Sequence, residues 1–342
     1  MSTLISVAPL GFPWQTIDPF LFCVHHDDAY PNGNANMGPA APLGGRNLGQ
    51  DFSRMNGWSM YHGHTIPGFP AHPHRGFETV TIVRQGLIDH SDSLGATARF
   101  GGGDVQWLTA GKGIVHCEMF PLTHTEQPNP LELFQIWLNL PAKNKMAEPH
   151  FTMFWHEAIP RLHFEDAQGR ATDVVCVAGQ LDQQQGGKAQ GLPPPPDSWA
   201  SEADTELAIF TLKMAPGAQW TLPAARHGST RRQLYVFKGV GLKMAGEDVG
   251  PLSVAEVRAT QSLELMNGDE TTEILVLQGK PIGEPVAQHG PFVMNTQAEI
   301  QQAFADYRRT QFGGWPWGAP DPVHPREKGR FARLANGQVE ER

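Results

Sequence analysis

The chain has 342 residues, 18% charged and 40% apolar, with 37 glycines and 29 prolines. That length accommodates two domains, and the composition suits a turn-rich β protein better than a helical bundle. The formal net charge of −9 and the absence of any long Lys/Arg block exclude a general nucleic-acid binder, which needs a basic surface to meet phosphates.

The opening MSTLISVAPLGFPWQTIDPF lacks a positive segment followed by an apolar one, and no run approaches 18 apolar residues, so neither an export signal nor a membrane span is expected. Cys23, Cys117 and Cys176 are odd in number and without a CxxC. They predict neither a disulfide framework nor a zinc knuckle, and a cytoplasmic location follows. Residues 1–50 read as a loop-rich segment packing on the folded body, with a short strand at PFLFCVHH. From 51 to 148, short alternating runs (GWSMYHG, FETVTIVR, GLIDHSDSL, TARFGGGDVQWLTAG, GIVHCEMF, LELFQIWLNL) predict a first β domain. A second, over 149–285, is predicted from RATDVVCVAGQ, TELAIFTLKMAPGAQWTL, RQLYVFKGVGLKM, SVAEVRA, QSLELMNG and TEILVLQGKPI. Within it, Pro193 to Pro196 predict an extended surface loop, with a PxxP ligand as the less favoured reading. Over 286–342, Thr296 with Glu299 forms a capping-box pattern before Ile300, Phe304 and Tyr307. A helix over 296–311 and a wrapping tail follow.

Chemistry concentrates in two dyads. On a strand, residues two apart project to one face, about 7 Å apart at Cα. His72 and His74 in AHPHRG therefore point together, and Pro73, with no N–H for a ladder, places them at a strand start or on an edge. His116 and Glu118 in GIVHCEMF likewise share a face, with Cys117 on the other. On neighbouring strands the dyads would bring three imidazoles and one carboxylate together. Such a set suits one divalent first-row metal with positions left open, iron(II) first, with Mn, Ni, Co, Cu or Zn as the other candidates. A lone HxH among 15 histidines decides little; its pairing with a downstream HxE carries the expectation.

Other clusters are weaker. His62 and His64 share the spacing but precede Pro67, Gly68 and Pro70, which favours a role in solvent or around the ligands. HHDDAY, His25 to Tyr30, reads as a polar loop, because adjacent residues on an extended chain face opposite ways. Glu78 shares parity with His72 and His74 and is expected to support a histidine rather than to ligate.

The stretch AHPHRGFETVTIVRQGLIDHSDSLGATARFGGGDVQWLTAGKGIVHCEMF, with LELFQIWLNLPAKNKMAEPHF and EPVAQHGPFVMNTQAEI, resembles the pirin family of the cupin superfamily. The resemblance implies an all-β bicupin, two stacked antiparallel β-barrels of jelly-roll type with a short C-terminal helix. It also implies a single metal, usually iron, in the first barrel, held by His72, His74, His116 and Glu118. The second barrel offers only His227 where a first histidine pair would sit, and is expected to hold no metal. Some pirins resemble quercetin 2,3-dioxygenases, which implies a small phenolic substrate, dioxygen and Glu118 as catalytic base, with Trp58, Phe77 or Trp107 as pocket-lining candidates against a core role. The rival expectation is a non-enzymatic regulator whose metal state governs binding to a transcription factor or metabolic enzyme.

Overall fold

The computed structural model describes residues 2–184 and 186–342; Met1 and Gln185, the latter in the segment leading to the proline loop, lie outside it. The chain forms two compact units. One comprises Met1–Cys23 with Glu157–Gly283, the other Val24–His156 with Glu284–Arg342.

In the second of these, one sheet runs in the order His150–Phe154, Val105–Thr109, Phe77–Gln85, Leu131–Asn139, Phe20–Asp28. The other runs Val339–Glu341, Phe331–Arg333, Thr97–Gly101, Leu87–Asp92, Ile114–Met119, Gly68–His74. Their ladders are antiparallel, and one apolar core, with Val83, Leu108 and Leu133 from the first and Phe100 and Ile114 from the second, lies between them.

In the other unit, a sheet ordered Leu4–Pro9, Ser253–Val257, Arg231–Lys238, Thr272–Gly279, Ala208–Met214, Ala171–Ala178, Arg161–Glu165 shares a core with a shorter one ordered Gln219–Leu222, Leu263–Met266, Leu242–Met244, Glu247–Val249. Among the described residues no sheet closes on itself. Each unit is therefore a pair of packed sheets with open edges, of the β type expected, and neither closes into a barrel.

The helix spans Gln297–Thr310, with Thr296 as N-cap accepting from the Glu299 amide at 3.2 Å and the Glu299 carboxylate taking the Thr296 hydroxyl at 2.9 Å. No described helix is long and apolar enough to cross a membrane.

Three expectations need correction. GWSMYHG forms no strand. Met55–Gly57 is a 3-10 turn, and Tyr61, at φ 55°, joins Asp51 and Gly68 through isolated bridges. HHDDAY is not a loop throughout, since the strand Phe20–Asp28 runs through it and buries His26 and Asp28. Residues 1–50 also contain Leu4–Pro9, an edge strand paired with Ser253–Val257.

Candidate metal centre

Gly68–His74 is the edge strand of its sheet, which is where a Pro73 without an N–H can sit. Its register with Ile114–Met119 shifts between Phe69 and His72 and sets His72 directly opposite His116. A shift of this kind re-aims side chains locally. Gly76, at φ 85°, then turns the chain into Phe77–Gln85, and a Cβ there would meet the Val293 carbonyl oxygen at 1.9 Å. Any other residue would displace the histidine strand or its neighbour.

The ligand atoms of His72, His74 and His116 all lie within 4.8 Å of one another. Ring centroids are 4.8 Å apart for His72 and His74, 4.5 Å for His72 and His116, and 4.9 Å for His74 and His116. Nδ1 of His72 lies 2.8 Å from the Pro70 carbonyl, so it carries the hydrogen and leaves Nε2 as a lone-pair donor. Nδ1 of His74 and both nitrogens of His116 are buried without a hydrogen-bond partner of good geometry. Burial holds all three imidazoles neutral. It lowers His72 to about 4 and takes His74 and His116 well below the ordinary histidine range, reinforced by the neighbouring rings. Neutral, converging and unsatisfied imidazoles are what a divalent cation requires, so the residues present fit one.

Glu118 lies outside that three-histidine group. It is buried on the inward face, where Oε2 accepts from Gln135 Nε2 at 2.6 Å and Oε1 from the Thr81 hydroxyl at 3.3 Å. Burial raises its pKa, against the opposing pull of His90, Gln135 and Thr81. Gln135 is positioned in turn by the Trp137 indole N–H, 3.4 Å from its Oε1.

The remaining candidates divide. Glu78 is buried and accepts from the Thr109 hydroxyl at 2.7 Å. His62 directs Nδ1 to the Gly49 carbonyl at 2.7 Å, and His64 is exposed. Cys117 faces away into a separate apolar cluster with Met37 and Ile66. Phe77 flanks the site, 5.0 Å from His74 and stacked at 3.9 Å on Trp137. Trp107 packs against Phe154, and Trp58 lies under the Arg46 guanidinium at 3.3 Å, both in the core.

Besides Gln135, four groups escaped the sequence reading. His90 is fully buried, paired across strands with Glu118 and 5.5 Å from His116, with Nε2 3.1 Å from Asp92. Phe69 has its ring edge-on to His72 at 6.3 Å and to His26 at 5.9 Å. Tyr61 donates its hydroxyl to Asp28 at 2.7 Å, and Nδ1 of His26 lies 2.7 Å from that Tyr61 hydroxyl oxygen. Trp137 is edge-on to His74 at 5.2 Å. The one available signal was the strand parity of His90 and Asp92 in LIDHSD.

An open β-sandwich with three imidazoles converging from an edge strand and its neighbour defines the cupin type of protein. The chain belongs to the pirin family. Its residues 10–138 match the pirin family model and residues 209–313 the pirin C-terminal cupin domain. A Pseudomonas aeruginosa protein provisionally named a quercetin 2,3-dioxygenase is 39% identical over 247 residues, 71% of this chain and 79% of that relative. Human pirin is 34% identical over 251 residues, 72% of this chain and 78% of its own. Among solved structures, a quercetin 2,3-dioxygenase from Acinetobacter baumannii superimposes with a TM-score of 0.69 at 25% identity, covering 92% of this chain and 99% of that one.

Proposed function

We propose that this protein is a cytoplasmic, metal-dependent dioxygenase that opens flavonols such as quercetin with dioxygen and loss of carbon monoxide. The observation that carries this reading is the triad of buried, neutral imidazoles with unsatisfied nitrogens beside an aromatic wall. The names of the Pseudomonas and Acinetobacter proteins support the same substrate class.

In this reading His72, His74 and His116, with Glu118 as fourth ligand, hold one divalent ion, iron(II) first, in the first of two cupin domains. Such an ion supplies Lewis acidity towards a phenolic oxygen and leaves positions open for reactants. Glu118 is the base for the flavonol 3-hydroxyl, taking its proton on a carboxylate oxygen that burial has made more basic. Gln135 orients that carboxylate. Phe69, partly exposed, offers its ring to a flat aromatic substrate, with Trp137 and Phe77 buried against His74. His72 is partly exposed while His74 and His116 are buried, so substrate enters from the His72 side.

The test is anaerobic purification, elemental analysis, and quercetin absorbance followed together with oxygen uptake. The expected result is about one metal per chain, matched loss of quercetin and dioxygen, and loss of turnover in His74→Ala and Glu118→Ala. One metal without turnover would replace this reading with the regulator that binds a transcription factor or metabolic enzyme. No metal in the wild type would refute the four-ligand site.

A further inference from the structure

The unit formed by Met1–Cys23 and Glu157–Gly283 holds a buried guanidinium that, among the described residues, hydrogen-bonds to no carboxylate. Arg232, on the strand Arg231–Lys238, is 3% exposed. Its Nε donates to Gln278 Oε1 at 2.7 Å and its Nη2 to the Pro223 carbonyl at 2.8 Å, while Nη1 is buried with no partner. Glu206 is near enough to favour the charged form, yet its carboxylate is occupied by the amides of Arg226 and His227 at 2.8 and 2.9 Å and the Thr230 hydroxyl at 2.7 Å. Burial lowers the guanidinium to about 10, which still leaves it charged at neutral pH. A buried charge is normally paired, and an arginine fork is shaped for a carboxylate.

Arg232 and Gln278 line a cavity of about 260 Å³ whose apolar walls include Leu181, Phe210 and Leu222. The proline loop forms another wall through Pro194 and is fixed there, since the Pro195 carbonyl accepts from the Ser198 amide at 3.1 Å and the Ser201 hydroxyl at 2.6 Å. That gives Pro194 a task in the fold that needs no partner domain. Asp182, Glu202, Asp204 and Glu206 also line the cavity, as do Lys188 and Arg226, and this surplus of acids disfavours ligands with more than one negative charge. The volume lies just under the roughly 300–1,000 Å³ of pockets for drug-sized molecules.

We propose that this second cavity binds a small monocarboxylate with an apolar body, its head group on Arg232 and its body against Leu181, Phe210 and Leu222.

The experiment titrates full-length, metal-loaded protein with sodium benzoate by calorimetry, with benzamide and inorganic phosphate as comparators, in the wild type, Arg232→Met and Gln278→Glu. The last variant places a carboxylate of the protein's own against the guanidinium and keeps the test valid if Arg232→Met does not fold. Saturable benzoate binding, weaker by about tenfold or more in both variants and for benzamide and phosphate, is expected, with metal content unchanged. Equal binding by the variants, equal binding of benzamide, or no benzoate binding to the wild type at about 10 mM, an affinity weaker than about −3 kcal/mol, would each overturn the proposal.

Discussion

Gln135 joins the indole of Trp137 to the carboxylate of Glu118, through contacts of 3.4 and 2.6 Å. Partners that orient a metal-binding group typically contribute about 10- to 100-fold to metal affinity or activity. Gln135→Leu is therefore expected to weaken metal retention by that factor while the fold persists, as measured by competition with a chelator. An unchanged affinity would count against Glu118 as a ligand held in place by Gln135. The grouping of His72 with His74 was legible in the sequence because strand parity alone aligns residues two apart, whereas the place given to Glu118 beside them belongs to the proposed function. Gln135, His90 and Phe69 were not legible, because their places depend on cross-strand register, which is fixed only when the sheets assemble. His26 and Asp28 were misread for a related reason. Two residues apart, they turn inward together, whereas adjacent residues alternate, and HHDDAY contains both relationships.

Lys145 links separate elements. Its ammonium donates to the carbonyls of Gly76 at 2.9 Å and Val293 at 3.1 Å and to Asn139 Oδ1 at 2.8 Å. It thus ties the turn after the histidine strand to the segment leading into the helix Gln297–Thr310. Burial lowers its pKa from 10.5 to about 8, against the opposing pull of Glu284 and Glu299. Between those values the unfolded chain holds this proton more tightly than the folded one, so the contribution to stability rises with pH across the window and is flat below it. Urea midpoints of the wild type are expected to climb relative to Lys145→Met from about pH 8 to about pH 10. Parallel curves would show that the three acceptors hold the ammonium charged throughout. The helix was legible because Thr296, Glu299 and the apolar spacing all act within one turn or two. The strands Leu4–Pro9 and Phe331–Arg333 were not. Leu4–Pro9 buries almost nothing of its own, and each gains its conformation from the open edge it joins, Ser253–Val257 for the first and Thr97–Gly101 for the second.

At the scale of the molecule, metal and fold are linked, because an ion bound to the folded site and not to the unfolded chain stabilises by mass action. At a thousandfold excess of free metal over Kd this amounts to about 4 kcal/mol. Chelation is expected to lower the calorimetric transition of the unit holding Val24–His156 and to leave that of the unit holding Glu157–Gly283 in place. A scan in which neither moves, or only that of the unit holding Glu157–Gly283 does, would contradict a metal site in the unit holding Val24–His156.

Each unit borrows from the far end of the chain. Arg75 pairs with Asp306 at 2.9 Å, and Arg99 donates to the carbonyls of His324, Pro325 and Lys328. During synthesis the histidine pairs leave the ribosome long before residues 284–342 exist to close around them. Nascent chains stalled near residue 160 would therefore present the imidazoles without their final enclosure, which is complete only once residues 284–342 have been made.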